Sequence, residues 1–78
     1  MTKTYFRFHV IETLTVEVKL PDGFDQDDTH ENLDMVKAVR DYMDHLYIVD
    51  EYDCEVSEND EPDHHLTYEP KTHEVSDD

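Results

Sequence analysis

Residues 4–20, TYFRFHVIETLTVEVKL, alternate between apolar and polar side chains over nearly their whole length. Apolar side chains occupy every even position but Thr4 and Glu12, namely Phe6, Phe8, Val10, Leu14, Val16, Val18 and Leu20. Because successive side chains of a strand point to opposite faces, this pattern predicts strand structure with one apolar face. The segment is longer than a usual strand, so we expect it to fold back near Glu12 as a β-hairpin.

The hairpin has a preferred register. A three-residue loop over residues 11–13 keeps the even positions of both arms on one face, and it places Phe8 opposite Val16 and Arg7 opposite Glu17. Loops of this length usually end with a residue in the left-handed conformation, for which Thr13 is poorly suited. A single strand with a bulge and a sharp bend therefore stays open as the alternative.

Residues 29–45 are predicted to form a helix, because apolar residues recur there at three- and four-residue intervals. The apolar stripe consists of Leu33, Val36, Val39, Met43 and Leu46, widened by Met35, Ala38 and Tyr42. The opposite side carries Asp34, Lys37, Arg40, Asp41 and Asp44. Asp28 is placed to cap the helix, with Glu31 completing a capping box. We expect the stripe to pack on the apolar face of the hairpin.

A third strand is predicted over residues 47–57. Its apolar side carries Ile48, Tyr52, Cys54 and Val56, and its other side carries Glu51, Asp53 and Glu55. We expect Cys54 to be a small buried hydrophobic residue. From residue 58 onward the chain is rich in carboxylates and poor in apolar residues. Residues 58–78 are therefore expected to be a largely disordered tail, with a short strand at 65–68 as the alternative for that part.

The predicted fold class is α+β. We expect residues 1–57 to form one compact ββαβ domain, with a small antiparallel sheet in hairpin, helix, strand order and one helix packed on one face. Residues 58–78 follow this domain as the acidic tail.

Charge narrows the function classes. The chain has 22 acidic residues against 6 Lys and Arg, a formal charge of −16. Direct binding of nucleic acid needs a basic surface, so this composition excludes it, and it disfavours anionic membranes. With one cysteine there is no internal disulfide. No apolar run reaches transmembrane length and no leader pattern is visible, so we expect a cytoplasmic protein, in the host cytoplasm if the chain is phage-encoded.

No catalytic signature is visible. The chain lacks a Gly-rich phosphate loop, a nucleophile elbow and a paired His and nucleophile motif, so we expect no enzymatic activity and no cofactor. The acidic loop around Asp25 fails the EF-hand spacing, although loose association with divalent cations is left open. Adjacent residues around His64 are of metal-ligating types but are poorly placed for a tetrahedral site. We therefore predict no defined metal site.

The carboxylates have three interpretations. Eight of the fourteen residues 50–63 are acidic, and on a strand every second one would follow at roughly 6.6 Å. They form a solvated face, or a salt-adapted composition, or a negative array that enters a basic groove and competes with nucleic acid. The predicted partner-binding residues are Glu51, Asp53, Glu55, Glu58, Asp60 and Glu61, with Asp25, Asp27 and Asp28 as a secondary set. Their partner would be a basic nucleic-acid-binding protein or complex of the host.

Two resemblances bear on this hypothesis. In size, acidity and α+β pattern the chain resembles the small phage-encoded DNA-mimic inhibitors, including anti-CRISPR and anti-restriction proteins. Residues 10–56, through VIETL (10–14), VEV (16–18) and IVDEYD (48–53), are similar to the DpnD/PcfM-like family of mobile elements. The first resemblance implies a non-enzymatic phage inhibitor that blocks a host defence complex. The second implies the strand, strand, helix, strand order and an origin in a mobile element, and no activity. The alternative is a small adaptor or regulatory domain that binds a protein partner, or homodimerises, through its sheet edge and helix.

Overall fold

A five-stranded sheet packs one of its faces against a single helix. The structure is a computed structural model and describes residues 2–25, 27–54 and 61–77. In chain order the elements are β1 (Thr2–His9), β2 (Thr13–Leu20), α1 (Thr29–Leu46), β3 (Glu51–Cys54), β4 (His64–Glu69) and β5 (Glu74–Asp77). The strand order across the sheet is β3-β1-β2-β4-β5. The α+β class is confirmed, whereas the sheet is mixed rather than purely antiparallel, because β2 and β4 run parallel.

The hairpin forms with a different register from the one predicted. β1 and β2 pair from Thr2 opposite Leu20 to His9 opposite Thr13, so the loop comprises residues 10–12 rather than 11–13. Phe8 lies opposite Leu14, not Val16. The predicted register is therefore wrong by two residues, which leaves the apolar face unchanged because side chains alternate with period two. The bent single strand is wrong as well.

The shifted loop removes the difficulty at Thr13. That residue lies in β2 and pairs with His9, and in the described part of the chain the only non-glycine residue with positive φ is His73. The loop thus needs no left-handed residue. Its one backbone hydrogen bond across the turn runs from the Val10 N–H to the Glu12 carbonyl, at 3.1 Å.

The core lies between the even-numbered face of the hairpin and α1. Its most deeply buried side chains are Phe6, Phe8, Val16, Val18, Leu20, Met35, Val39, Met43, Leu66 and Tyr68. Phe6 and Phe8 stack with ring centroids 6.0 Å apart, and Phe8 stacks on Tyr52 of β3 at 5.6 Å. The predicted packing of the helix on the apolar face of the hairpin is confirmed.

The helix begins where the sequence predicts. Asp28 is the N-cap, and its Oδ1 accepts hydrogen bonds from the backbone N–H groups of His30 and Glu31 at 3.0 and 3.1 Å. The predicted stripe is rotated, however. Met35, Val39 and Met43 are buried, while Leu33 is 58% and Leu46 51% exposed.

The position of each leucine on the helix explains why it is exposed. Leu33 is six positions from Val39, which puts it about 120° away around the helix axis. Leu46 is the last helical residue and lines an open groove at that end of the molecule. Their assignment to the core is wrong.

β3 is shorter than predicted and lies at the edge of the sheet. It covers Glu51–Cys54 and pairs only with β1 among the described strands. Residues 47–50 precede the strand, and residues 55–57 lie outside the described residues. Cys54 is exposed, so its predicted burial is wrong. The reason is the edge position, since nothing in the described chain pairs with β3 on its outer side.

The segment predicted as a tail supplies two strands. β4 pairs with β2, and β5 pairs with β4. Leu66 is fully buried and Tyr68 is 2% exposed, and the Tyr68 ring meets Phe24 edge-on at 5.9 Å. Disorder is therefore wrong for residues 64–69 and 74–77, and the alternative of a short strand at 65–68 is confirmed as part of β4. Residues 58–60 lie outside the described part. Two buried side chains on an interior strand are enough to place this segment in the sheet.

The described part of the chain has no helix that combines the length and apolar content needed to cross a bilayer.

Candidate functional site

The β3 carboxylates lie on the sheet face that α1 leaves uncovered, which we call the open face. The open face carries Lys3, Tyr5, Arg7 and His9 of β1 and the residues paired with them. Glu51 lies opposite His9, and Asp53 lies opposite Arg7. Both acidic side chains are exposed, and Asp53 Oδ2 is 3.9 Å from His9 Nε2.

This placement changes the predicted array. Glu51 and Asp53 are neighbours on one face, as predicted, but Arg7 lies opposite Asp53 and reduces the local negative potential. Glu55, Glu58 and Asp60 lie outside the described residues, and Glu61 is exposed just before β4. The structure therefore brings together two of the six residues of the primary set.

The secondary set belongs to a more strongly acidic surface. Asp25, Asp27, Asp28, Glu31 and Asp34 are all exposed, and they follow one another through the loop before α1 and its first turns. We call these five residues the loop–helix acidic surface. No Lys or Arg occurs in the sequence between Lys19 and Lys37.

Part of this acidity has a structural role. Asp25 Oδ1 accepts a hydrogen bond from the Asp27 N–H at 2.9 Å, and the Asp25 carbonyl accepts one from the Asp28 N–H at 3.2 Å. Asp28 caps α1, and carboxylates at a helix N-terminus interact favourably with its dipole. These contacts fold the loop and hold its carboxylates at the surface. Asp34 Oδ2 lies 3.9 Å from His73 Nδ1, an ion pair when that histidine is protonated.

A buried carboxylate, Glu17, lies at the centre of the open face. It is 6% exposed, and its Oε2 accepts a hydrogen bond from the Tyr5 hydroxyl at 3.2 Å. Its Oε1 is 3.4 Å from His65 Nδ1 and 3.5 Å from Lys3 Nζ. Burial alone raises the pKa of the Glu17 carboxyl, but the hydrogen bonds from His65 and Tyr5 and the charge of Lys3 outweigh it and hold the pKa below its ordinary value. Glu17 is therefore charged at neutral pH.

The Glu17 cluster was not predicted from the sequence. The predicted pairing set Arg7 against Glu17, whereas the observed register sets Tyr5 there and the pairing of β4 with β2 adds His65. In the described residues, no group of three or more His, Cys, Asp or Glu side chains could hold a metal ion. The cluster is a hydrogen-bonded network that joins β1, β2 and β4.

A groove opens between the β1–β2 loop and the residues that follow α1. Its volume is about 640 Å³, and its apolar lining consists of Val10, Ile11, Leu14, Leu46, Tyr47 and Ile48. We call it the end groove. Ile11 is fully exposed and Ile48 is 90% exposed, although the sequence pattern placed Ile48 on the apolar side of a strand. Sequence reasoning had no signal for this groove, because it forms only where two distant segments meet.

Comparisons with protein-family models, with curated proteins and with solved structures find no match to this chain. The fold defines a small α+β protein with a five-stranded mixed sheet and one helix. The resemblances to DNA-mimic inhibitors and to the DpnD/PcfM-like family stay predictions.

Proposed function

We propose that this chain is a non-enzymatic inhibitor that binds the basic nucleic-acid-binding surface of another protein. The loop–helix acidic surface carries the proposal, because it consists of five exposed carboxylates with no Lys or Arg between them in the sequence. A surface of this kind attracts basic grooves over a distance and excludes nucleic acid from them. Following the resemblance to phage-encoded inhibitors, the partner proposed is a defence complex of a host cell.

The density of charge supports the proposal. The described residues include 18 of the 22 carboxylates, since Glu55, Glu58, Asp60 and Asp78 lie outside them, and all 6 Lys and Arg. Their net charge of about −12 along a longest dimension of 34 Å is one negative charge per roughly 3 Å. Duplex DNA carries one per about 1.7 Å of its axis, and each of its strands one per about 3.4 Å. The net charge of the described residues per length of their longest axis is therefore close to that of one strand of a duplex.

The distribution of cations supports it as well. Lys3, Arg7 and Lys19 all belong to β1 or β2 and lie on the open face, away from α1. On the helix, Arg40 is engaged with Asp44 at 3.8 Å and lies over the Tyr52 ring at 5.5 Å. Lys37, which lies near Asp34 and His73, is the first Lys or Arg of α1, so the first two turns of the helix carry none.

The test uses the immobilised full chain and a bacterial lysate. Bound proteins are eluted with duplex DNA at constant ionic strength, and the expected result is release of basic nucleic-acid-binding proteins by DNA. The variant Asp27→Lys/Glu31→Lys should abolish this capture. Its matched control, Glu74→Lys/Asp77→Lys on edge strand β5, has the same net charge and should retain it. Capture that DNA does not reverse, or equal loss in both variants, would refute the proposal.

A third variant, Glu51→Lys/Asp53→Lys, tests the residues that the sequence favours. If it binds as the wild type does, the β3 carboxylates take no part in the interaction, and a partner must be sought at the loop–helix acidic surface alone. If all three charge variants bind unchanged, the mimic hypothesis fails and the adaptor alternative gains.

A further inference from the structure

The exposed apolar side chains of this acidic protein are concentrated at one end. In the described residues, four large hydrophobic side chains are exposed, and three of them, Ile11, Leu46 and Ile48, line the end groove. Scattered exposed hydrophobic residues are ordinary, but a contiguous exposed patch typically marks an interaction site. The fourth, Leu33, lies elsewhere on α1 and does not line the groove.

The groove is built on ordered backbone. The Asp50 N–H donates to the His9 carbonyl at 2.8 Å, which ties the segment carrying Ile48 to the end of β1. Tyr47 is held twice, by its N–H donating to the Met43 carbonyl at 2.9 Å and by a hydrogen bond of 2.9 Å between its hydroxyl and His64 Nε2. The wall that carries Tyr47 and Ile48 is therefore tied to both β1 and β4, opposite the β1–β2 loop.

The charges beside the groove favour a positively charged partner over a negatively charged one. Glu12 is part of the lining, and the exposed Asp50 follows the lining residue Ile48 by two positions; we call these two carboxylates the acidic rim. No Lys or Arg is among the lining residues. A second copy of this chain would bring a formal charge of −16 against the same negative rim. Association of two copies through this end is thus opposed by repulsion, while a cationic segment is attracted.

We propose that the end groove binds a basic amphipathic segment of a partner protein, with apolar side chains seated against Ile11, Leu46 and Ile48 and flanking Lys or Arg residues paired with the acidic rim. The inference rests on the proposed function in assigning a basic partner, and it adds an apolar contact that a pure charge mimic would lack. Such a contact discriminates among basic proteins, because Lys and Arg alone are common to all of them.

The test uses two synthetic peptides and the ¹⁵N-labelled full chain. One peptide has Leu and Lys at helical spacing; the other has the same Lys residues with each Leu replaced by Gln. We expect the Leu–Lys peptide to bind at least about tenfold more tightly, a difference of about 1.4 kcal/mol, and to shift the amide signals of residues 10–14 and 46–50. Equal affinity of the two peptides, or shifts that follow only the acidic residues, would overturn the proposal.

Variants of the chain distinguish apolar binding in the end groove from general attraction between opposite charges. Ile48→Ser and Ile11→Ser should each weaken the Leu–Lys peptide about tenfold and leave the Gln–Lys peptide unchanged. Leu33→Ser is the matched control, since it removes an exposed apolar side chain outside the groove, and it should bind as the wild type does. Unaltered binding by both isoleucine variants would overturn the inference. Concentration-dependent shifts of the groove amides without peptide, abolished by Ile48→Ser, would do the same by showing that a second copy occupies the groove.

The inhibitor hypothesis and the groove inference can be refuted independently of each other. If the isoleucine variants bind the Leu–Lys peptide normally while DNA still releases captured proteins from the wild type, only the groove inference is lost. If the groove binds the peptide as expected but DNA releases nothing, the inhibitor hypothesis is lost and the groove remains a site for a basic segment.

Discussion

The substitution Leu66→Ala tests whether the C-terminal segment is folded into the sheet, as in the structure, or disordered, as its acidic composition predicts. Leu66 is fully buried in β4, opposite Val18 of β2, in a segment so acidic that disorder is the natural expectation. Truncation of a buried Leu to Ala costs about 2–5 kcal/mol of unfolding free energy, because transfer free energy is lost and a cavity remains. A domain of 78 residues has about 4–12 kcal/mol in total. The variant should therefore lose a large share of its stability.

Urea unfolding followed by far-ultraviolet circular dichroism measures this loss. With an m-value of about 1 kcal/mol per molar urea, a loss of about 3 kcal/mol lowers the midpoint by about 3 M. Leu33→Ala is the matched control, since it makes the same chemical change at a residue that is 58% exposed on α1, and it should stay within about 0.5 kcal/mol of the wild type. Equal midpoints for Leu66→Ala and the wild type would refute the placement of β4 in the core.

Three further changes test other parts of the molecule. Asp28→Ala removes the oxygen that accepts from the N–H groups of His30 and Glu31, and should lower the unfolding free energy in urea by about 1 kcal/mol, whereas Asp28→Asn should restore most of it. Glu17→Gln tests the buried carboxylate: because its folded pKa lies below the unfolded value of about 4.3, the stability advantage of the wild type should be complete above that pH and vanish as pH falls through the folded pKa. A pH-independent difference in urea midpoint between the two proteins would contradict this. Cys54 should react with a neutral maleimide in the native protein nearly as fast as in urea, since its side chain is exposed, and strong protection would show that β3 is covered in solution.

The sequence predicts the local features of this fold well. The alternation through residues 4–20 identifies the buried side chains of the hairpin, because a strand has only two faces and a two-residue shift in pairing does not exchange them. Asp28 is recognisable as a cap because its side chain acts on the next three residues only. The register itself depends on the loop conformation, for which residues 10–12 carry no strong turn signal.

Features that depend on distant segments were missed or, like the strand at 65–68, left as an alternative only. The buried pair Leu66 and Tyr68 alternates as a strand should, but only β2 on one side and β5 on the other make that strand stable. Cys54 has the same alternation as Tyr52 and was expected to share its burial, yet it lies on an edge strand. The end groove and the Glu17 cluster likewise join residues that are far apart in sequence. Which carboxylates form a continuous surface follows from this tertiary arrangement, and composition alone does not determine it.

The parallel pairing of β2 with β4 determines the order in which the parts of the sheet can form. Val16 pairs with His64, so the hairpin must wait for a partner 48 residues further along the chain. At a synthesis rate of about 5–20 residues per second, that interval is roughly 2–10 s during translation. Throughout it, Val16 and Val18 lack the neighbouring strand that flanks them in the folded sheet, and contacts of such long range also slow refolding from denaturant. Residues 1–20 carry two Glu against three Lys and Arg, but residues 21–63, which are made in that interval, carry 16 carboxylates against two Lys and Arg. The growing chains therefore become strongly like-charged, and they repel one another before their exposed strands can pair between molecules.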